Sequence, residues 1–111
     1  MSQTVVRLSL SPQAWDDIER LDEHLRAVSD PVHGALAEFL FAGLSVLKLQ
    51  PGIGRPVLSG LYRELILERG RSGYLARYHY QRDRQEVTIL RIRHQRECGY
   101  LEADTDDDTD F

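Results

Sequence analysis

Tyr74-Leu75-Ala76-Arg77-Tyr78-His79-Tyr80-Gln81 is the stretch on which the fold turns. Its period is two: Tyr74, Ala76, Tyr78 and Tyr80 share one side of an extended chain, and Leu75, Arg77 and His79 share the other. A helix would scatter the tyrosines around its axis. The pattern therefore predicts a strand with one face packed on a core and one face wet and cationic. Residues Leu61 to Leu67 on one side and Glu86 to Arg93 on the other keep the same alternation, with turns at Arg69 to Gly73 and Arg82 to Gln85. Connections this short make consecutive strands antiparallel neighbours.

Upstream the period changes to that of a helix. Thr4 to Leu10 reads as a short strand, after which Ser11 caps and Pro12 opens a helix whose apolar stripe is Trp15, Ile18, Leu21, Leu25 and Val28. Asp16, Asp17 and Glu19 fall in its early turns, where carboxylates favour the positive end of the helix dipole. Asp30-Pro31 repeats this start signal, and Val32, Leu36, Phe39, Leu40, Leu44 and Leu47 form a second stripe. The two helices are expected to form an antiparallel hairpin, with Gly43 marking a close helix contact. Pro51-Gly52 ends the second helix, and Gln50 to Gly60 is expected to be a loop. The fold class is α+β: a short N-terminal strand and a helical hairpin packed on a small antiparallel sheet.

At 111 residues the chain has room for one domain, and its longest apolar stretch, Phe39 to Leu49, is too short and interrupted to span a bilayer. The boundaries expected are a domain over 1–103 and an acidic, disordered tail over 104–111, which holds five aspartates in eight residues. The lone Cys98 provides no disulfide, and Met1 to Leu10 lacks a cationic, apolar leader; both point to a cytoplasmic protein. No spacing suggests a metal, and no glycine-rich loop suggests a nucleotide cofactor.

Net charge is −4, yet its distribution is lopsided. Residues 1–54 carry 4 basic and 7 acidic side chains, residues 55–96 carry 10 and 4, and residues 97–111 carry none and 7. All ten cations of the middle segment are arginines, whose planar fork suits carboxylates and phosphates. Without the tail, residues 1–103 balance 14 basic against 13 acidic groups, so the overall negative charge does not argue against an anionic partner. A solvated strand face balanced by the acidic segments is the alternative reading.

Chemistry could be carried by Arg91, Arg93, His94, Arg96, Glu97 and Tyr100, on and after the last strand. Arg91 and Arg93 would project from one face about 6 to 7 Å apart, a span suited to neighbouring phosphates or carboxylates. A histidine beside arginines resists protonation, and a neutral imidazole serves as a base. RNA cleavage needs a base, an acid and cations for the phosphorane, roles that Arg77, Arg91, Arg93, His94 and Tyr100 could fill. The structural alternative has His94 hydrogen-bonded at the sheet end, Arg63 paired with Glu86 or Glu64, and Tyr100 packed on the hairpin.

Over roughly residues 5–100 the chain resembles the RelE/ParE superfamily of toxins from bacterial toxin-antitoxin pairs. The resemblance rests on Leu10-Ser11-Pro12 before an acidic helix, Leu49-Gln50-Pro51-Gly52-Ile53-Gly54-Arg55-Pro56, and Tyr62-Arg63-Glu64-Leu65-Ile66. Gly73-Tyr74-Leu75-Ala76-Arg77-Tyr78 and Val87-Thr88-Ile89-Leu90-Arg91-Ile92-Arg93-His94-Gln95-Arg96-Glu97 are its most specific stretches. It implies a growth-arresting toxin neutralised by a cognate antitoxin, in a hetero-oligomer of the two, with plasmid stabilization among the associated roles. RelE-like members cut messenger RNA on the ribosome; ParE-like members poison DNA gyrase through protein contacts. Gly54-Arg55-Pro56, Arg63-Glu64-Leu65 and Ile89-Leu90-Arg91-Ile92-Arg93-His94 look ParE-like, and a single lysine, Lys48, leaves no lysine-rich ribosome-binding surface. The resemblance therefore implies DNA gyrase as the target, with the ribosome and mRNA as the alternative. Trp15, Arg55, Arg63, Arg77, Arg93 and Arg96 are the expected contacts to target or antitoxin.

Overall fold

In a computed structural model, which describes residues 5–31, 34–70 and 72–97, five strands and two helices form a two-layer α+β unit. In chain order they are β1 (Arg7–Leu10), α1 (Pro12–Ala27), α2 (Leu36–Leu44), β2 (Arg55–Val57), β3 (Tyr62–Arg69), β4 (Ser72–Gln81) and β5 (Glu86–His94). The sheet order is β1-β5-β4-β3-β2, and every neighbouring pair is antiparallel except β1 with β5, which is parallel. The sheet is thus mixed. The chain leaves β1 into α1 and α2 and returns to the sheet only later, so β1 and β5 come together as a long-range parallel pair. The expected tail, 104–111, lies outside the described residues.

The tyrosine face of β4 packs as its period predicted. Tyr74 and Tyr78 are almost wholly buried, and Tyr80 is partly buried against the same core. Leu36, Leu40, Leu44 and Leu47 of the second helical segment are fully buried beneath them. Burial of each such leucine contributes about 1.5–3 kcal/mol, which makes this row a main source of stability.

α1 starts where the sequence placed it, with Ser11 Oγ accepting from the Ala14 amide at 3.1 Å and Pro12 in the first turn. Its buried stripe, however, is Ala14, Asp17, Ile18, Leu21 and Leu25. Trp15 and Val28, expected in that stripe, are 48% and 57% exposed. α2 does not start at Asp30-Pro31; it begins at Leu36, after Ala35, and continues through a tight turn over Ser45–Lys48. Asp30 instead accepts from Arg69 Nη2 at 3.2 Å, so its side chain serves the end of β3 rather than a helix cap. Gly43 does mark a close contact, but with the sheet: a Cβ there would lie 2.7 Å from Leu67 Cδ2.

The expected loop over Gln50 to Gly60 contains β2, a three-residue edge strand pairing Arg55 with Glu64 and Val57 with Tyr62. Pro56 interrupts its hydrogen-bonding capacity and suits an edge. This segment is pinned to the sheet centre by Tyr78. Its hydroxyl donates to the Pro51 carbonyl at 2.7 Å and accepts from the Gly54 amide at 2.9 Å. Only glycine fits at position 54, because a Cβ would sit 2.7 Å from both Tyr78 Oη and the Glu64 carbonyl.

β5 carries a bulge that the alternation did not reveal. Arg77 opposes Arg91, whereas Tyr78 opposes Ile89, so β5 spends one extra residue, Leu90, across a single step of β4. Val87, Ile89 and Ile92 consequently all reach the core.

Candidate functional site

Two carboxylates absorb three of the six arginines singled out from the sequence, Arg55, Arg77 and Arg91. Glu64 on β3, 5% exposed, accepts from Arg77 Nε and Nη2 at 3.3 and 3.2 Å through Oε2, and from Arg55 Nη2 at 3.4 Å through Oε1. The Arg77 side chain is 8% exposed, while that of Arg55 is 68% exposed. The three residues form a row across β2, β3 and β4, with its solvent end at Arg55.

Asp17 on α1 holds the second set. Its Oδ2 accepts from Arg91 Nε and from the Ile92 amide, both at 2.8 Å, and its Oδ1 accepts from Arg91 Nη2 at 3.1 Å and Arg20 Nη2 at 3.3 Å. The bulge at Leu90 immediately precedes these two groups, and Asp17 gathers both at the start of the regular ladder that follows it. Arg91 and Arg93 are therefore not a matched pair of free cations on one face, as the strand spacing suggested. Arg91 belongs to Asp17, while Arg93 Nη1 donates to the Glu97 carbonyl at 2.7 Å.

Arg63 finds neither Glu86 nor Glu64; its Nη1 donates to the Gly54 carbonyl at 2.7 Å, and Glu86 lies beside Arg7. Trp15 sits on α1, edge-on to Phe41 of α2 with ring centroids 5.5 Å apart. Arg96 is exposed, with its backbone amide bonded to His94 Nδ1 at 3.0 Å. Tyr100 lies outside the described residues. The structure thus brings together Arg55 with Arg77, and His94 with Arg93 and Arg96, but keeps Trp15 apart on the helical layer.

His94 is held in one form. Because Nδ1 accepts a hydrogen bond, the neutral ring carries its proton on Nε2. Burial pushes its pKa below the ordinary imidazole value, and Arg96 pushes in the same direction, while Glu97 partly opposes them. The ring stands edge-on to Tyr74 at 5.2 Å. A neutral imidazole with Nδ1 occupied and Nε2 protonated is a hydrogen-bond donor; it would act as a base only after exchanging tautomers and losing the Arg96 contact. Among the described residues, no group of histidine, cysteine and carboxylate side chains is arranged to hold a metal ion.

Asp17, Glu64 and Tyr78 organise this chemistry, roles the sequence does not give them: there Asp17 reads as a helix-dipole carboxylate, Glu64 as a candidate partner of Arg63 and Tyr78 as a core residue. Asp17 was readable: it lies three residues after Ala14 and four before Leu21, inside the buried stripe rather than on the solvent side. Glu64 had a weaker signal, as a carboxylate next to Arg63 on a strand whose two neighbours each carry one arginine, Arg55 and Arg77.

The sequence pattern described as the ParE toxin of the type II toxin-antitoxin system parDE matches residues 8–98. The chain belongs to the ParE toxin family. No curated protein matches its sequence. Among solved structures, the chromosomal ParDE toxin-antitoxin system of P. aeruginosa superposes with a TM-score of 0.66 at 23% identity, covering 83% of this chain and 98% of that one. The RelBE2 toxin-antitoxin complex of Mycobacterium tuberculosis superposes with a TM-score of 0.56 at 20% identity, covering 86% and 98%. These likenesses cover more than four fifths of the chain, so the arrangement of two helices on a five-stranded mixed sheet is the fold of those structures. No helix among the described residues is long and apolar enough to cross a membrane.

Proposed function

We propose that the protein is a cytoplasmic toxin that arrests growth by inhibiting DNA gyrase through protein contacts, and that a cognate antitoxin neutralises it. The observation that carries this reading is the state of the cations a ribonuclease would need. Arg77 and Arg91 are tied to Glu64 and Asp17, and His94 presents a donor rather than a base. Phosphoryl-transfer chemistry on RNA requires cations aimed at the developing charge and a base within reach of the 2′-hydroxyl. Buried ion pairs serve the fold first; releasing one arginine would strand its partner's charge in a dry environment.

The groups placed to meet a protein partner are Trp15, Arg55 and Arg96, all on the surface. Arg63, Arg77 and Arg93 act behind them: Arg63 and Tyr78 fix the Gly54 loop, Arg77 shares Glu64 with Arg55, and Arg93 ties the end of β5 to Glu97. Trp15 with Phe41 offers the aromatic anchor that protein interfaces favour. The antitoxin is expected on the Trp15 face, and gyrase on the Arg55 side. Membership of the family supports the antitoxin as a partner.

Purified toxin added to gyrase and relaxed plasmid should block supercoiling or trap cleaved DNA. Normal supercoiling at saturating toxin would overturn the proposal. In a translating extract, the wild type should leave messages intact; codon-positioned cuts that disappear in His94→Ala or Arg93→Ala would establish the ribosome-dependent nuclease instead.

A further inference from the structure

On the helix-covered side of the sheet, separate from the Arg55–Glu64–Arg77 row, a cleft of about 510 Å³ opens between the second half of α1 and the neighbouring ends of β3, β4 and β5. One wall is apolar, formed by Leu21 and Leu25 of α1 and by Val28 just after it, with Tyr74 also lining the cleft. Its polar groups are unequally committed. The acceptors are in use: Glu97 takes the His94 amide at 2.9 Å and is ion-paired with Arg20, and Asp30 takes Arg69. The donors are in surplus. Arg69 Nε is buried and has no hydrogen-bond partner among the described residues. His94 carries its proton on Nε2, and the side chains of His24 and Arg96 make no hydrogen bond or ion pair among those residues.

A cleft whose acceptors are used and whose donors are spare is a site for an anion. We propose that it binds a phosphate monoester with a flat or apolar body, of the size of a nucleoside monophosphate. Small-molecule sites typically enclose about 300–1,000 Å³, so the space suits such a ligand. Donors come from three directions, α1, the β3 end and the β5 end, which fits a tetrahedral dianion better than a planar carboxylate with two oxygens. The body of the ligand would lie along Leu21, Leu25 and Val28. Arg69 stays charged in this setting: burial works against its charge, but contacts with Tyr74 and Asp30 outweigh it and raise the pKa. Arg96, His24 and Arg69 line the same cleft as His94 and each lies near enough to disfavour its charge, while Glu97 opposes them.

The test titrates full-length toxin alone with AMP, inorganic phosphate, adenosine and benzoate, followed by calorimetry and by histidine and backbone amide shifts. AMP is expected to saturate and to bind at least about tenfold more tightly than phosphate or benzoate, with adenosine weaker still. The exposed substitutions His24→Gln and Arg96→Gln should each weaken AMP binding roughly three- to tenfold at unchanged melting temperature. Arg69→Lys, which keeps the charge and removes Nε, should weaken it further. Absence of saturable AMP binding up to about 10 mM would overturn the proposal. Benzoate binding as tightly as AMP would overturn the phosphate assignment, and unchanged affinity in the His24 and Arg96 variants would overturn the location. Gyrase plays no part in this measurement, so its outcome is independent of the proposed target.

Discussion

Asp17 and Glu64 are both almost completely buried and both hold two arginines, yet their surroundings differ. Asp17 joins different layers: α1 supplies the carboxylate, and the β5 bulge supplies Arg91 and a backbone N–H. Glu64 works within the sheet, where β2, β3 and β4 are already joined by ladder hydrogen bonds. Its outer partner, Arg55, is largely in solvent, where an ion pair contributes little. The same chemistry therefore secures tertiary structure at one site and presents a surface cation at the other.

The comparison breaks most decisively at Asp17. Asp17→Asn keeps the shape but removes the charge facing Arg91, and it leaves the Ile92 amide with a weaker or misdirected acceptor. Loss of one partner from a buried pair costs about 3–5 kcal/mol, and a domain of this size has little more stability than that to lose. The variant should show a large fall in urea midpoint, with exchange protection lost first between α1 and β5. If its midpoint stays within experimental error of wild type, Asp17 is not the link between layers. Glu64→Gln should cost less, about 2–3 kcal/mol, since the strands remain paired around Arg77. Under the proposed function it should also weaken gyrase inhibition, by freeing Arg55 to wander. Equal destabilisation by the two variants, measured in parallel urea melts, would erase the distinction.

A smaller effect is expected at the latch between the sheet centre and the segment before β2. Tyr78→Phe removes both hydrogen bonds of the hydroxyl and leaves the Gly54 amide and Pro51 carbonyl without it, at a cost of about 1–3 kcal/mol. Burial raises the Tyr78 pKa above its ordinary value, against the Gly54 hydrogen bond and the Arg63 charge, which keeps the phenol protonated and able to donate. Exchange should accelerate at the Gly54 amide while the Asp17-linked amide of Ile92 remains protected. Equal acceleration at both would mean that the two regions open together.

How much of this was legible follows from which interactions are local. The tyrosine side of β4, the Ser11-Pro12 start of α1 and the leucine row of α2 depend on neighbours a few positions away, and the structure keeps all three; the side of β4 expected to be wet instead buries Leu75 and Arg77, the latter drawn in by Glu64 of the adjoining strand. The start of α2 was misread because Asp30-Pro31 has the local grammar of a cap, while Arg69, 39 positions later, claims the carboxylate. The site suffered more. Arg91 and Arg93 look like a pair because their spacing puts them in one regular stretch of ladder, which the structure keeps; what separates them is that Asp17 takes Arg91 and the Glu97 carbonyl takes Arg93. Asp17 and Arg91 are 74 positions apart, and no property of either segment announces that they meet. Parallel pairing of β1 with β5 is non-local for the same reason.

The smallest expected effect concerns His94, and it tests whether the end of β5 is as constrained as its middle. Burial and Arg96 lower its folded pKa beneath the ordinary value of 6.5, so the unfolded chain binds this proton more readily than the folded one. The contribution of His94 to stability is then fully present above pH 6.5 and is lost as pH falls from there toward the folded pKa. A raised folded pKa would give the opposite slope. Two-dimensional NMR of the ring protons should place the His94 midpoint below 6.5 and show the Arg96 amide shifting with it, because protonation of Nδ1 breaks that hydrogen bond. Arg96→Gln should move the midpoint upward by removing the second-largest cause, while burial still holds it below 6.5. A midpoint at or above 6.5 in the wild type would mean that the imidazole turns out to solvent and that the end of β5, unlike its bulge, is not locked.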